Sequence, residues 1–174
     1  MAEADGSPRP RFVVVGDVID DVLVVPDGAI RPDTDTAAEI RTLPGGAAAN
    51  TAAWLGATGA DVDFVGIVGA GDADRHAALL DRHGVRAHLA AHPALPTGTI
   101  VVLVDGEHRT MLASRGANAV LDPDALGDDL LAGAAVVYAT GHALAGDTDP
   151  AAFGRLVARA RAAGALVVAA TGSA

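Results

Sequence analysis

The sequence has 174 residues, a formal net charge of −10 and no cysteine, and 51% of its residues are hydrophobic. The acidic balance argues against nucleic acid as a partner, because phosphate-backbone binding needs basic patches. The lack of cysteine excludes disulfides, cysteine-ligated zinc and thiol nucleophiles. All twelve basic residues are arginine, so a Walker-type phosphate loop and Schiff-base chemistry, which both need lysine, are excluded within these residues.

The length suits a single globular domain with its own core. No apolar run reaches the roughly 18 residues of a membrane span, and residues 1–10 are too polar for a signal peptide. We expect residues 1–10 to be a disordered lead-in. We also expect the protein to be soluble and cytoplasmic, with no membrane partner.

The first predicted element is a strand within residues 11–17, a continuous apolar run that ends in Gly16 and Asp17. Such a run is typical of a parallel sheet that is covered on both faces. Ligands of open α/β sheets bind at the carboxyl ends of strands, so Asp17, Asp20 and Asp21 stand where chemistry tends to occur. The competing interpretation is a solvated turn, which explains Asp20 better than it explains three acids so close behind a buried strand.

A glycine-rich turn at Gly45 and Gly46 then leads into a helix that carries Asn50 and Trp54. Glycine lets a ligand approach the main chain closely, and the free N–H groups of a first helical turn favour polar or anionic ligands. Asn50 can both donate and accept hydrogen bonds. Taken alone, this stretch is explained more simply as a tight turn that begins a packed alanine helix. Trp54 is expected in the core.

The remaining elements alternate between strands and helices, with one hairpin inserted among them. Residues 97–113 predict this hairpin, because Asp105-Gly106 supplies the positive φ angles that a tight turn needs. The other predicted strands are short ones at 22–26 and 38–43, one at 62–69, one from Val85, one at 135–139 that leads into Thr140-Gly141-His142, and an apolar one at 165–170. The other predicted helices run from Asp72 or Asp74 to Gly84, from Asp122, and from Asp149 to Gly164.

Three histidines, His83, His88 and His92, are the nearest approach to a metal-ligand pattern. Their spacing crosses a predicted helix end and a loop, which does not suit a single metal ion. We interpret them as surface histidines and predict no metal site.

Together, four motifs in this order resemble the PfkB, or ribokinase-like, family of carbohydrate kinases. They are Gly16-Asp17-x-x-x-Asp21, Gly45-Gly46-x-x-x-Asn50-x-Ala52, the hairpin at 97–113, and Arg115-Gly116-Ala117-Asn118. The resemblance runs from about residue 11 to the end. It implies a three-layer α/β/α fold with a mostly parallel sheet and a small antiparallel β lid, formed by residues 20–43 and 97–113, that covers a sugar and can also form a homodimer contact.

The resemblance also implies the residues of a sugar site. The implied substrate-binding residues are Asp21, Gly45, Gly46, Asn50 and Arg115, with Asp17 in a supporting role. Asp21 would accept hydrogen bonds from sugar hydroxyls, and Asn50 would bind further hydroxyls. Arg115 is equally consistent with a surface arginine.

The chain departs from the family in three places. The turn after the second strand usually reads Gly-Asp-Asp-x-x-Gly, whereas residues 69–74 displace these acids and glycines. The last strand usually ends in Asp-Pro or Asn-Pro, which residues 169–172 lack. The Gly-Ala-Gly-Asp motif of the family's second half, which supplies the anion hole and the catalytic aspartate, is not found, and neither is the ATP site.

We therefore interpret residues 11–174 as the N-terminal, sugar-binding portion of a single PfkB-type kinase domain, with the C-terminal part missing. The complete enzyme would use ATP and Mg²⁺, and this chain would hold no catalytic residue and be inactive alone. The alternative is a non-catalytic module that binds a sugar or nucleoside, or that interacts through its lid. A Rossmann-type dinucleotide binder is disfavoured, because Gly16 has no companion glycines before a helix.

Overall fold

The computed structural model describes residues 9–141 and 149–171. The strands are β1 (Arg11–Val15), β2 (Ile19–Pro26), β3 (Ala38–Gly45), β4 (Asp61–Gly69), β5 (Val85–His92), β6 (Gly98–Asp105), β7 (His108–Ser114), β8 (Val136–Thr140) and β9 (Leu166–Ala170). The α-helices are α1 (Ala47–Ala57), α2 (Ala73–Asp81), α3 (Asp128–Leu131) and α4 (Pro150–Ala162). Two 3₁₀ helices cover Gly116–Val120 and Pro123–Ala125.

Five strands form a parallel main sheet in the order β5-β4-β1-β8-β9. The apolar run of β1 lies at its centre, where both faces are covered. On one face the core includes Leu131 of α3 and Leu156 of α4. On the other face Phe64 of the sheet packs with the alanines of α1 and with Leu80 of α2. The predicted three-layer α/β/α fold is confirmed.

The other four strands form a second sheet, in the order β3-β2-β6-β7, which we call the lid sheet. Its outer pairs, β2 with β3 and β6 with β7, are antiparallel, and the hairpin at Asp105-Gly106 is confirmed. Its central pair, β2 with β6, is parallel, so the lid is mixed rather than wholly antiparallel. The reason is that β2 follows β1 and β6 follows β5, and both leave the same edge of the main sheet in the same direction.

The prediction that Trp54 lies in the core was wrong, since this side chain is 76% exposed. The helix turns its alanines, Ala48, Ala49 and Ala52, toward the sheet. Trp54 follows Ala52 by two positions, which places it about 200° further around the helix. Small residues thus allow close packing of α1, and the large Trp54 side chain faces outward.

The helix predicted from Asp122 is shorter than its pattern suggested. Asp122 does act as an N-cap, accepting a hydrogen bond from the backbone N–H of Asp124 at 2.9 Å, but the chain forms only a 3₁₀ turn there before the single-turn helix α3.

Some predictions fall outside the described residues, namely the first eight residues of the lead-in, His142 and Gly172. Within the residues that are described, the helices are all too short or too polar to cross a membrane.

Candidate functional site

Asp17 follows β1 directly and anchors the beginning of α1. Its carboxylate accepts hydrogen bonds from the backbone N–H groups of Ala47 at 2.7 Å and Ala48 at 3.2 Å. A third bond, at 2.8 Å, comes from the hydroxyl of Thr140 at the end of β8. The side chain is buried. Asp17 therefore satisfies orphan N–H groups of the first helical turn and is fully engaged within the protein.

Gly46 makes the sharp entry into α1 with a φ of +100°. A β-carbon at this position would lie 2.5 Å from the carbonyl oxygen of Asp17. Both the backbone conformation and the lack of space therefore require glycine. The turn that the sequence identified is fixed by its contact with the residue after β1.

Asp21 and Gly45 lie against each other where the lid sheet joins the main domain. A side chain at position 45 would collide with the whole Asp21 carboxyl group. Among the residues that the structure describes, no hydrogen-bond donor contacts this carboxylate. Burial raises the pKa of Asp21 from its ordinary value, and the neighbouring carboxylates of Asp20 and Asp17 raise it further. The carboxylate is thus available to accept hydrogen bonds from a ligand.

Asp20, the next residue, has a different environment. It accepts two hydrogen bonds from Arg75 of α2, at 2.8 and 2.7 Å. Arg75 also donates to Asp72 at 3.1 Å, and Asp72 accepts from the hydroxyl of Thr97 at 2.5 Å. These bonds connect α2 to the base of the lid. Adjacent strand residues point to opposite faces, which explains why Asp20 is partnered and Asp21 is not.

Asn118, the last residue of the Arg-Gly-Ala-Asn motif, is buried and pairs with the backbone of Val18. Its side-chain oxygen accepts from the Val18 N–H at 3.1 Å, and its NH₂ donates to the Val18 carbonyl at 2.8 Å. The sequence analysis assigned it no role, although a polar residue closing a motif is a signal for such a bond. Asn118 holds the segment between β1 and β2 in place.

Two cavities border this region. The smaller, of about 80 Å³, lies against the Asp21 face of the lid sheet and brings Arg115 beside Asp17 and Asn118, with Ile100 and Ala113 as its apolar walls. The larger, of about 360 Å³, is lined by Gly45 and by Asn50, which is exposed on α1.

The predicted site residues therefore lie in three places. Asp21 and Gly45 are in contact, and Gly46 follows directly. Arg115 lies in the smaller cavity and Asn50 in the larger. The structure does not gather all five around one space.

Metal-binding side chains are not clustered in the described residues. Between residues 9–141 and 149–171, there is no cluster of three or more histidine, aspartate or glutamate side chains that could hold a metal. We assign no residue of this chain to Mg²⁺ or to ATP and derive no step through either.

The α/β/α layers, the lid sheet and the glycine turn at its base define a ribokinase-like protein. The family model for pfkB family carbohydrate kinases matches residues 9–173, so the chain belongs to the pfkB carbohydrate kinase family. A search of curated proteins finds no match.

Solved structures share the fold. A ribokinase from Giardia lamblia is 20% identical with a TM-score of 0.80, and the match covers 92% of this chain and 54% of that one. A fructokinase with bound ATP from Xylella fastidiosa is 23% identical with a TM-score of 0.79, covering 96% and 53%. An adenosine kinase from Sinorhizobium meliloti is 22% identical with a TM-score of 0.76, covering 92% and 56%. The chain spans about half the length of these structures.

Proposed function

We propose that this chain is the sugar-binding portion of an ATP-dependent carbohydrate kinase, which transfers the γ-phosphoryl group of ATP to a sugar hydroxyl in the cytoplasm. The observation that carries the proposal is the Asp21 carboxylate, which lies against Gly45 at the base of the lid without a hydrogen-bond donor among the described residues. A carboxylate with free lone pairs is the acceptor that sugar hydroxyls require.

In this proposal Asp21 accepts hydrogen bonds from the substrate, and the bare backbone of Gly45 and Gly46 lets the sugar approach closely. Asn50 binds further hydroxyls from α1, and Arg115 contacts the substrate or the lid from the smaller cavity. The three hydrogen bonds to the Asp17 carboxylate support its role as a positioning residue, since they hold the first turn of α1 in place.

Phosphoryl transfer depends mainly on positioning and on stabilising the charge of the transferred group. This chain would position the sugar, and closure of the lid sheet would exclude water. The catalytic aspartate and the ATP site are expected outside these residues, so we propose that the 174-residue chain alone has little or no kinase activity.

Calorimetric titration of D-ribose, D-fructose and adenosine into the purified chain tests this proposal. We expect at least one of them to bind, about tenfold or more weaker to Asp21→Asn, because hydrogen bonds to a charged group contribute about 1.5–3 kcal/mol. Asp35→Asn, at an exposed loop position, is the matched control and should bind normally. Equal binding to both variants contradicts the site, and robust ATP-dependent phosphorylation by the chain contradicts its inactivity.

A further inference from the structure

The larger cavity lies between α1 and α2 and has a volume of about 360 Å³. Its walls are mostly apolar, with Ala49 and Ala53 from α1 and Leu79 and Leu80 from α2. This volume lies in the range of small-molecule sites, which are commonly apolar with a few placed polar groups. The polar groups here are His76, Arg82, His83 and Asn50.

His76 lines this cavity with a polar atom that has no partner. The side chain is 2% exposed, and its Nε2 is buried without a hydrogen bond. The nearest acidic group, the Oδ1 of Asp20, is 3.6 Å away, beyond hydrogen-bonding distance, and both Asp20 oxygens already accept from Arg75. A buried polar atom without a hydrogen bond destabilises the folded protein. A ligand atom in the cavity would remove that destabilisation.

The mouth of the cavity carries positive charge, although the protein as a whole is acidic. Arg82 is exposed and, among the described residues, forms no ion pair. His83 lies beside it in the lining. Burial lowers the pKa of His76, and the nearby Arg75 lowers it further, against the opposing effect of Asp20. The interior imidazole is therefore neutral near pH 7, and depending on its tautomer it can donate or accept a hydrogen bond.

This cavity lies on the other side of β2 from Asp21, the residue that we propose to bind the sugar. His76 faces Asp20, and Asp20 and Asp21 point to opposite faces of the strand. Asp21 is not part of the lining. The two sites meet at Gly45 and Asn50, but the proposed anchors differ, since Arg82 and His76 line this cavity and Asp21 does not.

We propose that the α1/α2 cavity binds a small organic acid. The acid's apolar body fills the space between the two helices, its carboxylate pairs with Arg82, and a hydroxyl at its other end bonds the Nε2 of His76. Arginine matches a carboxylate through parallel N–H···O bonds. The alanine and leucine walls favour a flat, largely apolar body over a polyhydroxylated one.

Calorimetry with 4-hydroxybenzoate as the probe tests this site. Benzoate lacks the hydroxyl and phenol lacks the carboxylate, so the three compounds separate the two anchors. We expect saturable binding of 4-hydroxybenzoate and binding about tenfold or more weaker to Arg82→Gln, the size expected for a lost charged hydrogen bond. The matched control is Arg161→Gln, which removes the same charge from α4 on the opposite face of the main sheet and should bind as the unmodified chain does.

A separate comparison tests the proposed hydrogen bond between the ligand hydroxyl and His76. His76→Phe should bind 4-hydroxybenzoate no better than benzoate, whereas the unmodified chain should prefer 4-hydroxybenzoate. Because His76 is buried, His76→Gln is measured in parallel, since it keeps a hydrogen-bonding group and should retain part of the preference. Circular dichroism establishes that each variant is folded.

The proposal is overturned if 4-hydroxybenzoate shows no saturable binding, or if Arg82→Gln and Arg161→Gln bind it equally. Asp21→Asn should leave this binding unchanged while it weakens sugar binding. The failure of one proposal is therefore distinguishable from the failure of the other.

Discussion

The Asp21 carboxyl group occupies the space that a β-carbon at position 45 would need. Gly45 does not have a positive φ, so glycine is required here for room and not for backbone conformation. Its neighbour Gly46 has a φ of +100° and meets backbone atoms of Asp17. Two consecutive glycines are thus needed for two different reasons, and their substitution should have different consequences.

Gly45→Ala should weaken sugar binding with little loss of stability. The three atoms nearest to the new methyl group all belong to the carboxyl group of Asp21, a short side chain that can rotate away at a cost below about 1–3 kcal/mol. The displaced carboxylate then no longer presents its oxygens to the ligand. Calorimetry and urea unfolding of the same variant measure the two effects, and unchanged sugar affinity would contradict the proposed role of Asp21.

Gly46→Ala should instead destabilise the fold, by about 2 kcal/mol or more, because a positive φ costs a non-glycine residue about 1–2 kcal/mol and the added β-carbon collides with backbone atoms. The control is Gly154→Ala, within α4, where a β-carbon meets no atom within 4 Å. That change should stabilise the protein by about 0.5–1 kcal/mol. Urea unfolding measures the stability of both variants. Equal changes in stability would contradict the requirement for glycine at position 46.

Asp63 should make stability depend on pH. Burial alone would raise its pKa, but hydrogen bonds from Arg86, His88 and Arg11, at 2.8–2.9 Å, outweigh this and hold the pKa well below its usual range. A lowered pKa contributes stability that is fully present above the unfolded value of about 3.9 and is lost progressively as pH falls from that value toward the lower pKa of the folded state.

Asp63→Asn should therefore lower the free energy of unfolding by about 2 kcal/mol near pH 6, an estimate below that for a fully buried pair because its partners are partly exposed. The difference in the free energy of unfolding between this variant and the unmodified chain should shrink between pH 5 and pH 3. Asp61→Asn, whose carboxylate pairs with Arg86 at 2.6 Å but is partly exposed, should change stability less. If the loss of stability caused by Asp63→Asn were the same at every pH, this account would be refuted.

The lid sheet should form a homodimer contact. Ile40 of β3 is 64% exposed and Leu112 of β7 is 57% exposed, and the strand register places both on the face opposite Asp21. Exposed apolar patches commonly mark interaction sites. We expect sedimentation equilibrium to show a dimer that Leu112→Glu weakens by about tenfold or more, since burying a charge at an interface is costly.

Trp54→Glu provides the control for this experiment, because Trp54 is even more exposed than Leu112 but lies on α1 and not in the lid sheet. It should leave the dimer intact. A monomer at all concentrations, or equal weakening by both variants, would exclude the lid as the contact.

The sequence by itself determined the elements whose signals are local. The apolar run before Gly16, the glycine turn before α1 and the Asp105-Gly106 hairpin each depend on residues that are neighbours in the chain. The position of Asp17 follows in the same way, because it lies two residues after the buried strand β1, whereas Asp21 lies within the lid strand β2. The family resemblance rested on the order of these local motifs and was confirmed.

Only the tertiary structure decided which side chains are engaged and which are free. Asp20 and Asp21 are neighbouring aspartates in the sequence, yet Arg75 binds Asp20, and Asp21 lies against Gly45. We interpreted His88 as a surface histidine. It is partly exposed, but it also forms a hydrogen bond with Asp63 of the neighbouring strand. His76 showed no signal in the sequence. Local periodicity determines which face a residue takes, but its partner comes from another element, and packing alone determines which elements meet.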